Sequence, residues 1–452
     1  MNHPQQQTST PPGHTSPQDA AAAAAAAKAL MRTNRSATPA EILHSIPDSP
    51  RLAELLARHP DKFADLLEDP ARYRLQILIG LGEHLRPIEH HGFRVDAEYF
   101  YPASVVKLCS AVAATEVLKE LYLAGIAVNR NSPFVIHPLP GVQPGDQPGV
   151  ESSAANPFVY ELPEKYPGDW FGGNPPGTFD GIARDIRRAL MISDNPAHNR
   201  LYEFVGHETI NKLMWRGGLP TVRINHRLSD FRSPADQRRT ARIDFLAGSE
   251  VAYTVPQRDS ALITDNTSFP GLLGLQAGRG NIDQASGARF DGPMDFTGRN
   301  RLGLLDMHKL LARQLHFDPR LGPKADYVDA DFVTLFNALA TVPRECPDLR
   351  FDKARFPDED FKWYGRGLAR LKGGRSVAIA NKVGQAYGFS TDTAMMFPTR
   401  GGGRATLFIT ATIFTCASGI IGGDQYEYDR ADRFFADLAE VAGREFWGLR
   451  SR

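Results

Sequence analysis

Val377-Ala378-Ile379-Ala380-Asn381-Lys382 reads as a β-strand, and the fold of the chain follows from what surrounds it. Thr391 to Phe397 reads as a second strand, Gly401-Gly402-Gly403 as a turn, and Ala405 to Phe414 as a third strand. Arg430 to Trp447 closes as an amphipathic helix. Toward the other end, Tyr73 to Ile79 alternates like a strand with one buried face, and a second short strand is expected around Gly92 to Val95. The stretch between is mostly helical in pattern. Strands from both ends around a helical middle imply one antiparallel sheet built from the two termini, covered by helices, with an inserted all-helical lobe. The fold class is therefore α/β, of the α+β kind.

The helical segments can be placed by their apolar spacing. Ser49 to Leu67 carries Leu52, Leu55, Leu56 and Phe63 at helical intervals. Val105 to Leu123 is apolar on nearly every face, as a central buried helix would be. Thr178 is expected as the N-cap of a helix through Ile182, Ile186, Leu190 and Met191, with Asp180 near its positive end. Pro196 is suited to open the next helix, and Thr209 to Trp215 forms another that ends at Gly217-Gly218. Leu302 to Leu315 is again helical. Two segments lack periodicity: Pro138 to Gly177, and Phe231 to Phe296 with a strand at Val251 to Val255. The expected organisation is a disordered segment over 1–40 and one domain over 41–452. Its helical lobe, about 125–330, contains loop insertions at 138–177 and 231–296.

Composition excludes several functions. The 452 residues are 42% hydrophobic and 23% charged, enough for a sizeable core. Lysine plus arginine equals aspartate plus glutamate, 52 each, so there is no electrostatic case for nucleic acid or an anionic membrane as main partner. No membrane span is visible. Ala20 to Ala27 follows a polar segment without a basic start or a leucine-rich middle, which is not a secretory-signal pattern. Cys109, Cys346 and Cys416 are too few and scattered for a disulfide framework or a zinc site, and Cys109 reads as a small core residue. His90 and His91, adjacent on a strand, would point to opposite faces and so do not make a metal pair. No metal or other cofactor is expected. The tryptophans read as packing residues, with Trp170 the one candidate for stacking against a sugar.

Three short pieces carry the chemistry. Ser104-Val105-Val106-Lys107 puts a lysine one helical turn after a serine, on the same face. A serine hydroxyl needs a base, and a lysine held away from water near another cation loses proton affinity and becomes one. Ser193-Asp194-Asn195 offers a second hydroxyl to complete a proton relay and an amide to hold a substrate amide. Lys382-Val383-Gly384 offers a cation for a substrate carboxylate and a glycine that lets backbone approach a ligand. Each pattern alone is an ordinary one. Their order, and the elements that carry them, give them weight.

With these residues the chain resembles the serine β-lactamase and penicillin-binding protein superfamily, and class A β-lactamases most. Tyr101-Pro102-Ala103-Ser104-Val105-Val106-Lys107 is similar to the family's nucleophile helix. Ser193-Asp194-Asn195 and the following helices, through Val205-Gly206 and Leu213 to Leu219, are similar to its helical lobe. Lys382-Val383-Gly384, followed by two strands and a helix, is similar to its end. The resemblance runs from about Leu67 to Trp447. It implies a bacterial acyl-transfer enzyme, periplasmic or secreted. Ser104 would be the acylated nucleophile, Lys107 its base and Ser193 the relay to the leaving nitrogen. Asn195 would hold a substrate amide, Lys382 and Gly384 would bind substrate, and the N–H groups of Ser104 and Gln385 would form the oxyanion hole.

Two departures from the family pattern matter. Val383 stands where the family has a hydroxyl residue that binds the substrate carboxylate. In Thr221-Val222-Arg223-Ile224-Asn225-His226-Arg227-Leu228, Leu228 falls near the place of the glutamate that activates the deacylating water, and Asp230 is the nearest carboxylate. The reading is a serine hydrolase that forms an acyl-serine intermediate on a β-lactam or a related amide or ester carrying a carboxylate. The alternatives are a cell-wall D,D-peptidase or transpeptidase-like enzyme, and a non-catalytic ligand-binding relative. The partner is a small-molecule or peptidoglycan-type substrate.

Overall fold

The computed structural model describes residues 42–83, 86–139, 178–269, 271–284, 286–316, 318–322, 329–346, 351, 354–399 and 405–452. The expected disorder over 1–40, nearly all of the 138–177 insertion with Trp170, and the glycine turn at 401–403 lie outside the described residues.

Strands from the two ends of the chain do form one antiparallel sheet. The strands are β1 (Gln76–Gly82), β2 (Glu89–Phe93), β3 (Val377–Ala386), β4 (Phe389–Pro398) and β5 (Thr406–Phe414), in the order β3-β4-β5-β1-β2. β1 joins the ends by pairing with β5, from Gln76 opposite Thr412 to Gly82 opposite Thr406. β3 lies at an edge, with Lys382 opposite Thr393 and Gly384 opposite Thr391. β1 starts later than expected and is buried on both faces rather than one. Ile77 and Ile79 enter one core and Leu78 the other, because both faces of the sheet are covered.

Behind the sheet lie α1 (Pro50–Ala57), α2 (Pro60–Glu68), α9 (Trp363–Leu368) and α10 (Tyr428–Trp447). They pack Leu52, Leu55, Phe63, Trp363, Phe434, Phe435 and Leu438 against Ile379, Val383, Met396 and Ile409. The single helix expected over Ser49 to Leu67 is two. Pro60 lacks an N–H and clashes with a preceding helical turn, so it ends α1 and opens α2. α10 stops at Gly448, whose φ of 62° takes the left-handed turn that suits glycine.

In front of the sheet runs α3 (Lys107–Leu123). Leu108 through Ala114 are all fully buried, as an all-round apolar helix requires, and each Val or Leu there contributes about 1.5–3 kcal/mol. Around it pack α4 (Ile182–Met191), α5 (Asn195–Val205), α6 (His207–Arg216), α7 (Leu304–Leu315) and α8 (Asp329–Ala340). α4 begins later than expected. Phe179 pairs opposite Phe134 in a short strand, and Gly181, at φ 101°, turns the chain into the helix. The inserted lobe is not all-helical as expected: it also carries a four-stranded sheet of 178–179, 134–136, 243–247 and 250–255, formed where the segments without helical periodicity pair with one another. Within it Glu250–Val255 contains the expected strand. Its partner Ile243–Ala247 was not expected from the sequence; its Asp244 is buried and held by Arg242 and Thr254.

His90 and His91 do point to opposite faces. His90 Nε2 is 3.2 Å from His308 Nε2, while His91 Nδ1 is 3.0 Å from Ser49 Oγ. Among the described residues, no group of three or more His, Cys, Asp or Glu could hold a metal, and no helix is long and apolar enough to cross a membrane. Cys109 is a buried core residue, and all three cysteines are free thiols.

Candidate active site

Ser104 sits in a 3-10 turn, Ala103–Val106, that runs directly into α3. Ala103 has a φ of 45°, in the left-handed region that a side chain disfavours, a strain of about 1–3 kcal/mol. Its neighbours Val105 and Val106 are fully buried and hold the turn in place, leaving Ser104 half-buried at the head of the helix.

One turn on, Lys107 is fully buried and surrounded by four oxygens. Its Nζ lies 2.8 Å from Ser104 Oγ, 3.1 Å from Ser193 Oγ, 2.5 Å from the Ser193 carbonyl and 2.6 Å from Asn195 Oδ1. The carbonyl and the amide oxygen accept two N–H bonds. A neutral amine then has its lone pair left for a hydroxyl proton. Burial, with the cation of Lys382 adding to it, holds Lys107 well below the usual lysine range, and Asp194 opposes this only in part.

The second piece is set by a buried ion pair. Asp194 caps α5 by accepting from the Ala197 N–H at 2.9 Å, and its other oxygen binds Arg188 at 2.6 and 3.0 Å. Burial alone would raise the Asp194 carboxyl, but Arg188 and Arg200 outweigh it and hold it below the ordinary range. This fixed corner puts Ser193 at a φ of 57°, a second strained residue without a glycine's freedom, and turns its side chain and carbonyl to Lys107.

Lys382 completes the cluster from β3. Its Nζ is 3.0 Å from Ser193 Oγ, so that hydroxyl lies between two amines. Burial pushes Lys382 down to about 7, with Asp392 opposing and Lys362 adding to the shift. Lys382 and Gly384 share one face of the strand, as period-two alternation requires. A β-carbon on Gly384 would meet the Pro102 oxygen at 2.5 Å and the Ser104 nitrogen at 2.9 Å, so the edge strand lies against the Ser104 turn. Gln385 is exposed next to it, its side chain donating to Ser390 Oγ at 3.1 Å. Val383 faces the other way, into the apolar layer behind the sheet.

The structure thus brings Ser104, Lys107, Ser193, Asn195, Lys382 and Gly384 together. It also adds residues that the sequence reading did not single out. Asn199 holds both backbone groups of Leu228, accepting from its N–H at 2.9 Å and donating to its carbonyl at 3.0 Å. Leu228 itself is buried in the core. Asn195 Nδ2 donates to Ser229 Oγ at 2.7 Å. The helical spacing of Asn195 and Asn199, four apart, was the available signal. Asp230 is engaged elsewhere, bound to Arg232 at 2.8 Å and to the side chain of Gln237 at 3.3 Å. Beside the Ser104 turn, Tyr101 packs on Tyr387, Phe296 and His226, with ring centroids 5.3, 5.8 and 6.4 Å apart.

The model of the Beta-lactamase enzyme family matches residues 182–255, the stretch that holds Ser193, Asn195 and Leu228. No curated protein matches the chain. Among solved structures it is similar to an ancestral class A β-lactamase, at 17% identity and a TM-score of 0.43, over 88% of this chain and 99% of that one. It is also similar to a β-lactamase from Xanthomonas campestris pv. campestris, at 15% identity and a TM-score of 0.43, over 87% and 99%. A third is a β-lactamase from Desulfarculus baarsii, at 16% identity and a TM-score of 0.45, over 86% and 98%. Identities and scores this low transfer no residue roles. The family match over 182–255 sustains the resemblance to the serine β-lactamase superfamily.

Proposed function

We propose that this protein is a β-lactamase-like serine hydrolase that forms an acyl-enzyme on Ser104 with β-lactams or related amides and esters that carry a carboxylate. The observation that carries this reading is the position of Lys107 Nζ, buried with a depressed pKa and 2.8 Å from Ser104 Oγ. In this mechanism neutral Lys107 takes the Ser104 proton as Oγ attacks the carbonyl carbon. Ser193 Oγ, between Lys107 and Lys382, passes a proton to the leaving nitrogen. The N–H groups of Ser104 and Gln385 hold the oxyanion. Asn195 orients a substrate amide, and Lys382 attracts the carboxylate without help from Val383.

Deacylation is slow in this reading, because Leu228 is buried where a water-activating carboxylate would be needed and Asp230 is tied to Arg232. The same observation favours a second reading, a cell-wall D,D-peptidase or transpeptidase-like enzyme whose acyl group passes to an amine. Stopped mixing with a simple penicillin, followed by intact-protein mass spectrometry, tests both. A persistent adduct is expected, and its release by an added D-amino acid amine would favour the second reading. Rapid turnover with no adduct would refute slow deacylation. No adduct and no turnover would leave only the non-catalytic relative.

A further inference from the structure

Arg299 carries a positive charge that no carboxylate answers. Among the described residues its guanidinium has neither an ion pair nor a hydrogen bond. The residue is half-buried, and solvent still reaches its side-chain nitrogens. Its backbone is held firmly. The N–H donates to the Phe296 carbonyl at 2.9 Å, and the carbonyl accepts from the side chains of Asn225 at 2.8 Å and Asn266 at 3.1 Å. A cation that is held in place and partly taken from water, yet unpaired, is available to an anion from outside.

Its place is beside the Ser104 turn. The guanidinium carbon lies 5.8 Å from the centre of the Tyr387 ring. Tyr387 packs on Tyr101 at 5.3 Å, and Tyr101 stacks on His226 at 6.4 Å. These rings come from three pieces around the site. Tyr101 stands three residues before Ser104, Tyr387 two after Gln385, and His226 two before Leu228. The charge of Arg299 acts on all three. Tyr99 also donates its hydroxyl to the Asn300 carbonyl at 2.9 Å, which ties this segment to the run into Ser104. The 228 loop in turn meets Asn195 through Ser229, where a substrate's side-chain amide would lie. Lys382 and Ser193 serve the leaving nitrogen and its carboxylate, so Arg299 falls to the acyl portion of the substrate.

We propose that Arg299 binds an anionic group on the acyl side chain of the substrate, a second carboxylate besides the one at Lys382. This rests on the acyl-serine reading above and names a substrate class within it. A guanidinium suits a carboxylate because its fork of N–H donors can bond both oxygens. The aromatic wall of Tyr101 and Tyr387 carries the apolar part of the same side chain. The other charge near Tyr387 is Asp283, which accepts from the Ser286 hydroxyl at 2.6 Å and N–H at 2.8 Å and makes no ion pair with Arg299. The contact is noncovalent. It selects among substrates and leaves the chemistry at Ser104 as described.

The test uses the full chain with benzylpenicillin and carbenicillin, which differ by one carboxylate on the side chain. The ratio of their second-order acylation rate constants is followed by intact-protein mass spectrometry, so that any loss common to both cancels. The unaltered protein should favour carbenicillin by about five- to tenfold, the scale of a charge-assisted contact partly screened by solvent, and added salt should reduce the ratio. Arg299→Gln should bring the ratio to about one, and Arg299→Lys should keep part of the preference. A preference that survives in Arg299→Gln overturns the assignment of Arg299 alone. So does the absence of any preference in the unaltered protein, a result that needs no variant to fold. Failure of both compounds to acylate overturns the parent reading and this one with it.

Discussion

Gly384 and Ser104 touch backbone to backbone: a β-carbon at 384 would fall 2.9 Å from the Ser104 nitrogen. Real β-carbons essentially never come within that distance of a fixed backbone atom, and the Pro102 oxygen is closer still. Gly384→Ala must push the edge strand off the Ser104 turn. We expect a large loss of acylation rate with little change in secondary structure, since an edge strand yields more easily than a buried turn. Circular dichroism beside acylation kinetics checks this; normal acylation would show that the contact is slack.

Lys107→Arg keeps a cation and removes a base, since arginine stays protonated in proteins. Acylation should fall by about 10²–10⁴-fold, the usual worth of general-base help. A rate constant near that of the unaltered protein would mean that Lys107 only packs and pairs.

Lys382 makes two pH predictions. The unfolded lysine titrates near 10.5 and the folded one at about 7. Between those values the unfolded chain holds a proton that the folded chain does not, so this group's contribution to stability rises with pH across the window and is least below about 7. In substrate binding the sign reverses, because the cation is what attracts a carboxylate. The ratio of acylation rates for a carboxylate-bearing substrate over a neutral activated ester should fall as pH rises through about 7. Taking the ratio cancels Lys107. A ratio independent of pH would remove Lys382 from carboxylate recognition.

Asp194 is a stability residue beside the site. Its pair with Arg188 is almost fully buried, with 3% and 1% of the two side chains exposed. Removing one member of such a pair costs up to about 3–5 kcal/mol, less here to the extent that the buried Asp185 carboxylate, which also interacts with Arg188, compensates. Asp194→Ala also loses the cap of α5, so a large drop in the urea midpoint is expected. A loss of unfolding free energy below about 1 kcal/mol, the scale of a lone cap, would show that the pair with Arg188 adds nothing beyond the cap.

The sheet was legible because its strands are long, apolar and at the chain ends, and α3 because it is apolar all round. Ser104, Lys107, Ser193 and Lys382 were legible because each motif is short and local. The rest depended on tertiary context. Pro60 split one apparent helix, pairing of Phe179 with Phe134 moved the start of α4, and ion pairing of the buried Asp244 masked a strand. Asn199 looked like an ordinary helix residue until its side chain was seen to hold the backbone of Leu228.

The central claim is that Ser104 is a nucleophile activated by Lys107. Its most direct test is peptide-mapping mass spectrometry after exposure to a β-lactam or a phosphonate probe, for the unaltered protein and for Ser104→Ala. The account predicts one adduct, on the peptide containing Ser104, absent from a Ser104→Ala protein that melts at the same temperature. An adduct on any other residue, or undiminished labelling of Ser104→Ala, would contradict it.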